Sequence, residues 1–302
     1  MNIRIHPNKL SGSIDIAKRM PSKSIMHRML ICSALSGQEM QITNPSDDNL
    51  ATLECMNALL NEENPVLNVR DSASTLRFLI PVSLAFGKNA KFILGESLRN
   101  RPINEFLTLL PSTKFEVKKN ELTASGKIFP GKYVVNREIC SSQYISGLMF
   151  ALPLLNASSY IIIEEIQSQS YVDLTIDVLE RFGIKIKKTD CGYEILGNQS
   201  YKRSNDLTVE GDWSYAANFF VANKIGSSIE ITGLNKNSKQ GDSVIQGIDF
   251  TQNEIDVSQC VDIFPILAVL ACKKQGETTL TNAKRLRIKE CDRLHAMYEE
   301  LK

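Results

Sequence analysis

Serine, lysine and arginine side chains gather where short polar segments open apolar stretches of helical period. Residues 21–28, PSKSIMHR, are the clearest case, because Lys23 lies in the first turn and Ser24 shares a helix face with Arg28. The free N–H groups and the dipole of a helix N-terminus favour phosphate or carboxylate. A hydroxyl and a guanidinium can bind one anion together there, so the octet predicts an anion site. A capped surface helix with solvated cations explains it equally well.

Helix starts of similar composition recur along the chain and contribute hydroxyls, an amide and an arginine placed before a proline. Each is ordinary by itself, since hydroxyl residues are preferred at any helix start. Together they favour a substrate with more than one anionic group. Their polar residues are Ser72, Ser74, Arg77, Arg101, Ser141, Ser142, Gln143, Ser168 and Tyr171.

Acidic and basic residues near the end of the sequence could carry proton chemistry. Asp262 opens a very apolar helix, either as a simple N-cap or as a carboxylate whose pKa an apolar wall can shift. Residues 289–293, KECDR, alternate in charge, which is typical of a solvated helix face with weak ion pairs. The preceding residues RLR make this segment unusually basic for such a face.

A repeated pattern of elements would position these helix starts, with a period of roughly 50–70 residues. A polar start opens an apolar helix, a Gly or Asn ends it, and a β-rich run such as MQITN (residues 40–44) or YIIIEE follows. After its second helix the third copy adds two further strands, IKIKKT and YEILG. Helices alternating with β-rich runs predict an α/β fold. The fifth copy stops inside its second helix, so we expect the last unit to be incomplete.

Composition narrows the class of protein. The 302 residues hold 35 Lys and Arg against 34 Asp and Glu, which argues against a dedicated nucleic-acid binder. The sequence contains no dinucleotide-binding, P-loop or GxSxG motif, and its three His have no metal spacing. With no signal-peptide core, no apolar run long enough to span a bilayer and seven Cys never in CxxC, we expect reduced thiols in a cytoplasmic protein.

The motifs in their order resemble those of the 5-enolpyruvylshikimate-3-phosphate synthase family, the 3-phosphoshikimate 1-carboxyvinyltransferases. No single motif is specific, but the ordered set is, and it covers essentially the whole chain. His27 and the LRF of residues 76–78 are similar to the form found in clostridia and related anaerobes. The segments that carry the resemblance are PSKSIMHR, DSASTLRFLIP, RPI, SSQ, SQSYVD, VEGDWS and LRIKECDRL.

The resemblance implies a two-domain inside-out α/β barrel, or prism, of repeated βαβαββ units, with helix N-termini pointing into the cleft between the domains. Residues 21–206 would form a complete three-unit domain. Residues 1–20 plus 207–302 would form a second domain that is incomplete, lacking its last unit of about 70–120 residues by the repeat arithmetic. In the family that region supplies an Arg and a Lys to phosphoenolpyruvate, so we also expect impaired activity.

The resemblance implies transfer of the carboxyvinyl group of phosphoenolpyruvate to the 5-hydroxyl of shikimate 3-phosphate, through a tetrahedral ketal and with release of phosphate. It implies no metal or organic cofactor. Lys23 would touch both substrates and transfer protons, Asp262 would accept the proton of the 5-hydroxyl, and Glu290 would handle the proton at the methylene carbon. Shikimate 3-phosphate would be held by Lys23, Ser24, Arg28, Ser141, Ser142, Ser168, Tyr171, Asp262 and Lys289. Phosphoenolpyruvate would be held by Lys23, Ala73, Arg101, Gln143 and Arg293.

Ala73 stands where glyphosate-sensitive members of the family have Gly. An extra methyl in a close-packed site costs on the order of 1–3 kcal/mol for a ligand that needs its volume. We therefore expect weak inhibition by glyphosate. Arg285 stands where several members have a substrate-binding Asn, so that role is not transferred.

Two other functions stay open. A UDP-N-acetylglucosamine enolpyruvyl transferase has the same fold, but it usually carries Lys-Asn in place of Lys23-Ser24 and a reactive Cys near the position of Arg101. No Cys lies between Cys55 and Cys140. A non-catalytic phospho-anion-binding remnant is the alternative from a different class. The expected partners are the two small-molecule substrates, with no nucleic acid, no membrane and a monomeric state.

Overall fold

The chain forms two compact units in a computed structural model that describes Arg4, His6, residues 8–99, Arg101 and residues 105–136, 141–164, 166 and 168–302. The terminal unit comprises Met1–Ser22 and Glu210–Lys302, and the central unit comprises Lys23–Val209. Each unit has its own cluster of buried apolar side chains.

The elements follow the chain from the terminal unit through the central unit and back. The terminal unit begins with β1 (Ser11–Asp15) and α1 (Ile16–Arg19). The central unit contains α2 (Lys23–Leu35), α3 (Asp47–Asn61), β2 (Val66–Arg70), α4 (Ala73–Ala85), β3 (Ala90–Leu94), α5 (Glu105–Leu109), β4 (Thr113–Lys118), β5 (Glu121–Gly126), β6 (Lys132–Val135), α6 (Ser142–Ala151), β7 (Ser159–Ile163), α7 (Gln169–Arg181), β8 (Ile186–Thr189) and β9 (Gly192–Ile195). The terminal unit resumes with α8 (Trp213–Lys224), β10 (Ser228–Thr232), β11 (Glu254–Asp256), α9 (Phe264–Ala271), β12 (Thr279–Thr281) and α10 (Arg293–Leu301). Short 3-10 helices lie at Leu152–Leu154, Gly241–Gln246, Val261–Ile263 and Lys284–Ile288.

Two βαβαββ units make up most of the central unit. In the first, β2 pairs parallel with β3, and the antiparallel hairpin of β4 and β5 joins through β5, giving the strand order β2-β3-β5-β4. The second repeats this topology as β6-β7-β9-β8. Side chains alternate between buried and exposed along β6, as the period of a pleated strand requires. The α/β class and the repeated unit predicted from the sequence are therefore confirmed.

The prediction of a strand at residues 40–44, MQITN, is wrong, because the structure has no strand there. Asn44, at the end of this segment, has φ 48°, a left-handed conformation that a strand does not adopt. The nearby Gln38 is bound through its side chain. Its side-chain Nε2 donates to the carbonyl of Ser204 at 2.9 Å, and its Oε1 accepts from the N–H of Ser204 at 2.9 Å. A side-chain amide therefore takes the place of a backbone ladder at this point, and α2 connects to α3 through irregular chain.

Serine caps and one close helix contact fix the helices that carry the predicted site. Ser72 accepts from the N–H of Thr75 at 3.2 Å to begin α4, and Ser141 accepts from the N–H of Gln143 at 3.3 Å to begin α6. Between these two helices, a Cβ added to Gly147 would lie 2.3 Å from the carbonyl oxygen of Arg77. Only a glycine allows this approach of the two backbones.

The terminal unit contains two parallel strand pairs. β1 pairs with β10, β11 pairs with β12, and α9 connects β11 to β12. Trp213, Leu267 and Leu286 are fully buried in its core. Among the residues described for this unit, neither pair continues into an antiparallel hairpin of the kind seen twice in the central unit. No helix in the described part of either unit combines the length and the apolar character needed to cross a membrane.

Candidate functional site

Lys23 is the first residue of α2, and its position is tied to the start of α3. Its ammonium group lies 3.0 Å from the carboxylate of Asp48, while half of its side chain is exposed. Asn49 Nδ2 donates to the carbonyl of Lys23 at 3.1 Å. The same Asn49 closes a capping box with Ser46, so the first turn of α3 sets where this cation lies.

Arg28 is a buried cation that joins α2 to α7. Its Nε donates to Thr175 Oγ1 at 2.8 Å, its Nη1 to the carbonyl of Ser24 at 2.6 Å, and its Nη2 to the carbonyl of Tyr171 at 2.9 Å. The guanidinium carbon lies 5.2 Å from the ring centroid of Phe78. Burial lowers the pKa of Arg28 to about 10, so the side chain stays protonated at neutral pH. Three predicted site residues, Ser24, Arg28 and Tyr171, are therefore brought together.

Gln143 lies between two side chains of α4. Its Nε2 donates to Ser74 Oγ at 2.9 Å, and its Oε1 accepts from Arg77 Nη1 at 2.7 Å. The guanidinium of Arg77 also lies over the ring of Tyr144, 5.0 Å from its centroid. Because both ends of the amide are bound, the orientation of Gln143 is determined by α4.

The remaining predicted hydroxyls stand at the starts of α6 and α7. Ser141 caps α6, and Ser142 is its first residue and is buried. Ser168 precedes α7 with φ 63° and ψ 46°, a left-handed conformation that is uncommon outside glycine, and it is buried. The N–H of Tyr171 donates to the carbonyl of Ser168 at 3.2 Å, which links two of the residues predicted to bind one ligand.

Ala73 and Arg101 complete the predicted residues of the central unit. Ala73 is the first residue of α4 and is buried. Arg101 is half-buried, and its N–H donates to the carbonyl of Leu98 at 3.1 Å. The helix start predicted at Pro102 lies outside the described residues, and the next described helix, α5, begins at Glu105.

The four predicted residues of the terminal unit form one ion-pair cluster. Lys289 Nζ lies 3.2 Å and Arg293 Nη1 lies 2.9 Å from the same oxygen, Oδ1, of Asp262. Arg293 Nη2 also lies 2.8 Å from Glu290 Oε2. Burial disfavours the charged form of Arg293, but the carboxylates of Asp262 and Glu290 outweigh this effect and raise its pKa above the usual value.

Asp262 is not the N-cap that a simple reading of its position would make it. It lies within the 3-10 helix Val261–Ile263, and α9 begins at Phe264 with Ile263 as its N-cap. Its carboxylate is consequently available to the cations of the following segment. The side chain of Asp262 is 27% exposed, and those of Lys289 and Arg293 are 22% exposed.

Lys289 and Arg293 reach Asp262 because the chain turns between them. Lys289 follows the 3-10 helix Lys284–Ile288, and Arg293 is the first residue of α10. Asp292 caps that helix by accepting from the N–H of His295 at 3.0 Å. Residues 289–293 therefore do not form the continuous solvated helix face that their alternating charges would allow.

Sequence patterns do not identify three residues that support the site. Asp48 is marked only as an acidic residue in the first turn of α3, and Thr175 only by its place one helical turn after Tyr171. Asp242 is buried and interacts electrostatically with Asp262. The neighbouring residues in the sequence do not indicate either its burial or this interaction. All three depend on packing between elements far apart in sequence.

The two groups of side chains suit different parts of acid–base and anion chemistry. The central unit presents hydroxyls, an amide and cations, which bind phosphate or carboxylate. The terminal unit presents a carboxylate held by two cations, which can accept a proton from a hydroxyl while the cations neutralise anionic groups. In the described part of the chain, His, Cys, Asp and Glu side chains form no group of three that could hold a metal ion.

Comparison with known proteins gives the fold and the class of this chain. Two structures of EPSP synthase from Acinetobacter baumannii superpose with a TM-score of 0.73 at 18% identity, covering 96% and 98% of this chain and 78% and 79% of theirs. At this identity the likeness shows the fold. A family model described as EPSP synthase (3-phosphoshikimate 1-carboxyvinyltransferase) matches residues 5–302. Fold and family match together define the class, an enolpyruvyl transferase.

Curated relatives give the particular family. The 3-phosphoshikimate 1-carboxyvinyltransferase of Clostridium perfringens (strain SM101 / Type A) is 40% identical over 346 residues, 98% of this chain and 80% of the relative. That of Clostridioides difficile (strain 630) is 39% identical over 356 residues, 99% of this chain and 80% of the relative. The chain belongs to the EPSP synthase family, and the resemblance predicted from its motifs, including the clostridial likeness, is confirmed.

The alignments also show that this chain lacks residues that its relatives have. The two alignments extend over 346 and 356 residues, whereas the chain has 302. The relatives therefore contain residues within the aligned region that have no counterpart in this chain.

Proposed function

We propose that this chain transfers the carboxyvinyl group of phosphoenolpyruvate to the 5-hydroxyl of shikimate 3-phosphate. The 5-oxygen adds to C2 of phosphoenolpyruvate while C3 takes up a proton, which forms a tetrahedral ketal. Elimination then removes a proton from C3, breaks the bond between C2 and the phosphate oxygen, and releases phosphate. The observation that carries the proposal is the Asp262 carboxylate bound by Lys289 and Arg293, in a chain whose match to the family runs from residue 5 to 302.

The residues of the central unit are assigned to anion binding. Arg28 and Ser24 hold the carboxylate of shikimate 3-phosphate, which is supported by a buried guanidinium whose bonds to Thr175 and Tyr171 fix its orientation. The hydroxyls of Ser141, Ser142 and Ser168 bind its phosphate, with Tyr171 nearby. Lys23, Ala73, Arg101 and Gln143 contact phosphoenolpyruvate, and Lys23 also transfers protons.

The residues of the terminal unit are assigned to proton transfer. Asp262 accepts the proton of the attacking hydroxyl, and the two cations at its Oδ1 favour its ionised form before the reaction. Glu290 delivers and removes the proton at the methylene carbon, which is supported by its half-exposed carboxylate and its bond to Arg293. Lys289 contacts shikimate 3-phosphate, and Arg293 contacts phosphoenolpyruvate.

The test is phosphate release from shikimate 3-phosphate and phosphoenolpyruvate by the full chain. Asp262→Asn keeps the shape of the side chain and removes the base, so we expect kcat to fall by about 10²–10⁴-fold. Asp249→Asn, the same change at an exposed position of the same unit, should leave kcat unaltered. Equal rates for the Asp262 variant and the parent chain would contradict the assigned base.

Calorimetry separates this activity from the other functions. Binding of shikimate 3-phosphate that strengthens phosphoenolpyruvate binding, together with turnover, is the expected result. Binding of shikimate 3-phosphate without turnover would instead indicate a phospho-anion-binding protein. Binding of UDP-N-acetylglucosamine with no binding of shikimate 3-phosphate would contradict the proposal.

The small-molecule substrates are the expected partners, and we propose that the protein is a cytoplasmic monomer whose two compact units are the two domains of the family. The cytoplasmic assignment is supported by the cysteines in the described residues, Cys32, Cys55, Cys191, Cys260, Cys272 and Cys291, which are all free thiols. Sedimentation measures the mass of the assembly, and a dimeric mass would contradict the monomer.

A further inference from the structure

Asp242 is a buried carboxyl group that the proposed reaction does not use. It lies in the 3-10 helix Gly241–Gln246 and is 3% exposed. Ser214 Oγ donates to its Oδ2, and Oδ1 has no hydrogen-bond partner among the described residues. A buried carboxylate is stable only with several donors or a paired cation, so one donor and one bare oxygen favour the neutral acid.

The elements around Asp242 carry further charges. Its 3-10 helix packs against α8 and against the 3-10 helix Val261–Ile263, which carries Asp262. Asp262, Asp212 at the start of α8, and Lys289 all act on the Asp242 carboxyl electrostatically. Lys224, the charged residue of α8 itself, lies at its far end over the ring of Phe250.

Burial and the neighbouring carboxylates act in the same direction. Burial, and then the charge of Asp262, raise the pKa of Asp242 to about 8, against the smaller opposing effects of the hydrogen bond from Ser214 and of the charge of Lys289. The buried thiol of Cys260, two residues before Asp262, has its pKa raised to about 12, mainly by burial. At neutral pH, Asp242 therefore adds no charge beside the Asp262 carboxylate, which is bound by Lys289 and Arg293.

We propose that Asp242 is held as a neutral carboxylic acid and acts as a positioning residue for Asp262, because it keeps this pair of carboxyl groups at a single negative charge. That charge resides on Asp262, where Lys289 and Arg293 bind it. When Asp262 takes up a proton, the repulsion on Asp242 falls and its own proton leaves more readily. Ionisation of Asp242 adds a negative charge that competes for Lys289 and weakens the binding of an anionic ligand. The role in catalysis rests on the proposed function, whereas the charge of the pair does not.

The charge of the pair is measured by carbon-13 NMR of the carboxyl groups in the full chain labelled at aspartate. We expect the Asp242 resonance to titrate near pH 8 and the Asp262 resonance to show a second inflection at the same pH. Asp242→Asn, which replaces the neutral acid by a neutral side chain of the same shape, should abolish that inflection. The matched control Asp249→Asn, at an exposed carboxyl, should retain it.

Ser214→Ala provides an independent variant. It removes the donor that favours the ionised form, so the inflection should move to higher pH. Titration of Asp242 below about pH 5, or an Asp262 resonance that does not respond to it, would overturn the proposal.

Ligand binding tests the link to the site. The affinity of the parent chain for shikimate 3-phosphate should fall roughly fivefold or more between about pH 7 and pH 9, and the fall should be less than about twofold in Asp242→Asn. Equal pH profiles in the two proteins would overturn the positioning role. A coupled titration in a chain that binds no shikimate 3-phosphate would refute the proposed function and leave the single shared charge established.

Discussion

Arg28 is a buried cation whose described partners are neutral oxygens, a hydroxyl and two carbonyls. Taking a charge out of water is costly unless an opposite charge compensates for it. Burial lowers the pKa of Arg28 to about 10, which still leaves it charged at neutral pH. The electrostatic attraction between Arg28 and an anionic ligand would therefore be stronger than that of a solvated arginine. This is the physical basis of the role proposed for Arg28.

The methyl group of Ala73 gives a prediction about glyphosate. Ala73→Gly enlarges a buried position at the start of α4, and we expect inhibition by glyphosate to strengthen by about 1–3 kcal/mol, or roughly five- to 150-fold. The measurement is the inhibition constant against phosphoenolpyruvate. Ala85→Gly, at the other end of the same helix, controls for the loss of helix propensity and should leave inhibition unaltered. An unchanged constant in Ala73→Gly would show that this methyl does not limit glyphosate binding.

His27 gives a prediction about acid stability. Burial, and then the charges of Lys23 and Arg28, hold the pKa of His27 well below the usual value, so His27 is neutral in the folded protein. The unfolded chain takes up a proton near pH 6.5, and stability is therefore present above that pH and is lost below it, by up to about 1.4 kcal/mol per pH unit. Urea unfolding between about pH 8 and 5 should show a smaller loss in His27→Gln than in the parent. His295→Gln, at an exposed position, should match the parent chain.

The contact between α4 and α6 shows how one element positions another. The same pair of helices carries Ser74, Arg77 and Gln143, whose hydrogen bonds require the two backbones to lie close together. Gly147 allows that approach, because any larger residue would place its Cβ against the carbonyl of Arg77. The close packing of α4 and α6 therefore also determines the orientation of the Gln143 amide.

Gly147→Ala should therefore destabilise the central unit. The new Cβ would lie 2.3 Å from a backbone oxygen, so the helices must separate, at a cost of about 1–3 kcal/mol in the free energy of unfolding. Gly131→Ala is the matched control, because an added Cβ there meets nothing within 4 Å. Denaturant unfolding followed by circular dichroism measures both. Equal stability of the two variants would contradict the close contact.

At the scale of the whole molecule, the two units have separate cores. The central core includes α4 and α6, whose buried residues extend over nearly all of their length. The terminal core is smaller, and α10, which begins with Arg293, has no buried residue. A chain with two independent cores is not expected to unfold in a single two-state step.

Trp213 makes this testable, because it is the only tryptophan in the chain and is buried in the terminal core. We expect its fluorescence to change at a lower urea concentration than the bulk of the far-ultraviolet circular dichroism, which reports mainly the helices of the central unit. Leu267→Ala in the terminal core should lower the free energy of unfolding reported by fluorescence by about 2–5 kcal/mol. Leu148→Ala in the central core should instead move the circular dichroism transition to lower urea concentration. Coincident transitions in all three proteins would contradict separate cores.

The sequence by itself determined the local elements and the family. Serine caps and apolar periods located the starts of α4 and α6, because capping depends on residues two or three apart. The ordered motifs identified the EPSP synthase family. Only the tertiary structure decided that residues 40–44 are not a strand, that Gln143 lies between Ser74 and Arg77, and that Asp242 is buried beside the turn of Asp262. These features depend on contacts between residues distant in the chain, and burial and charge at such contacts are set by packing rather than by local propensity.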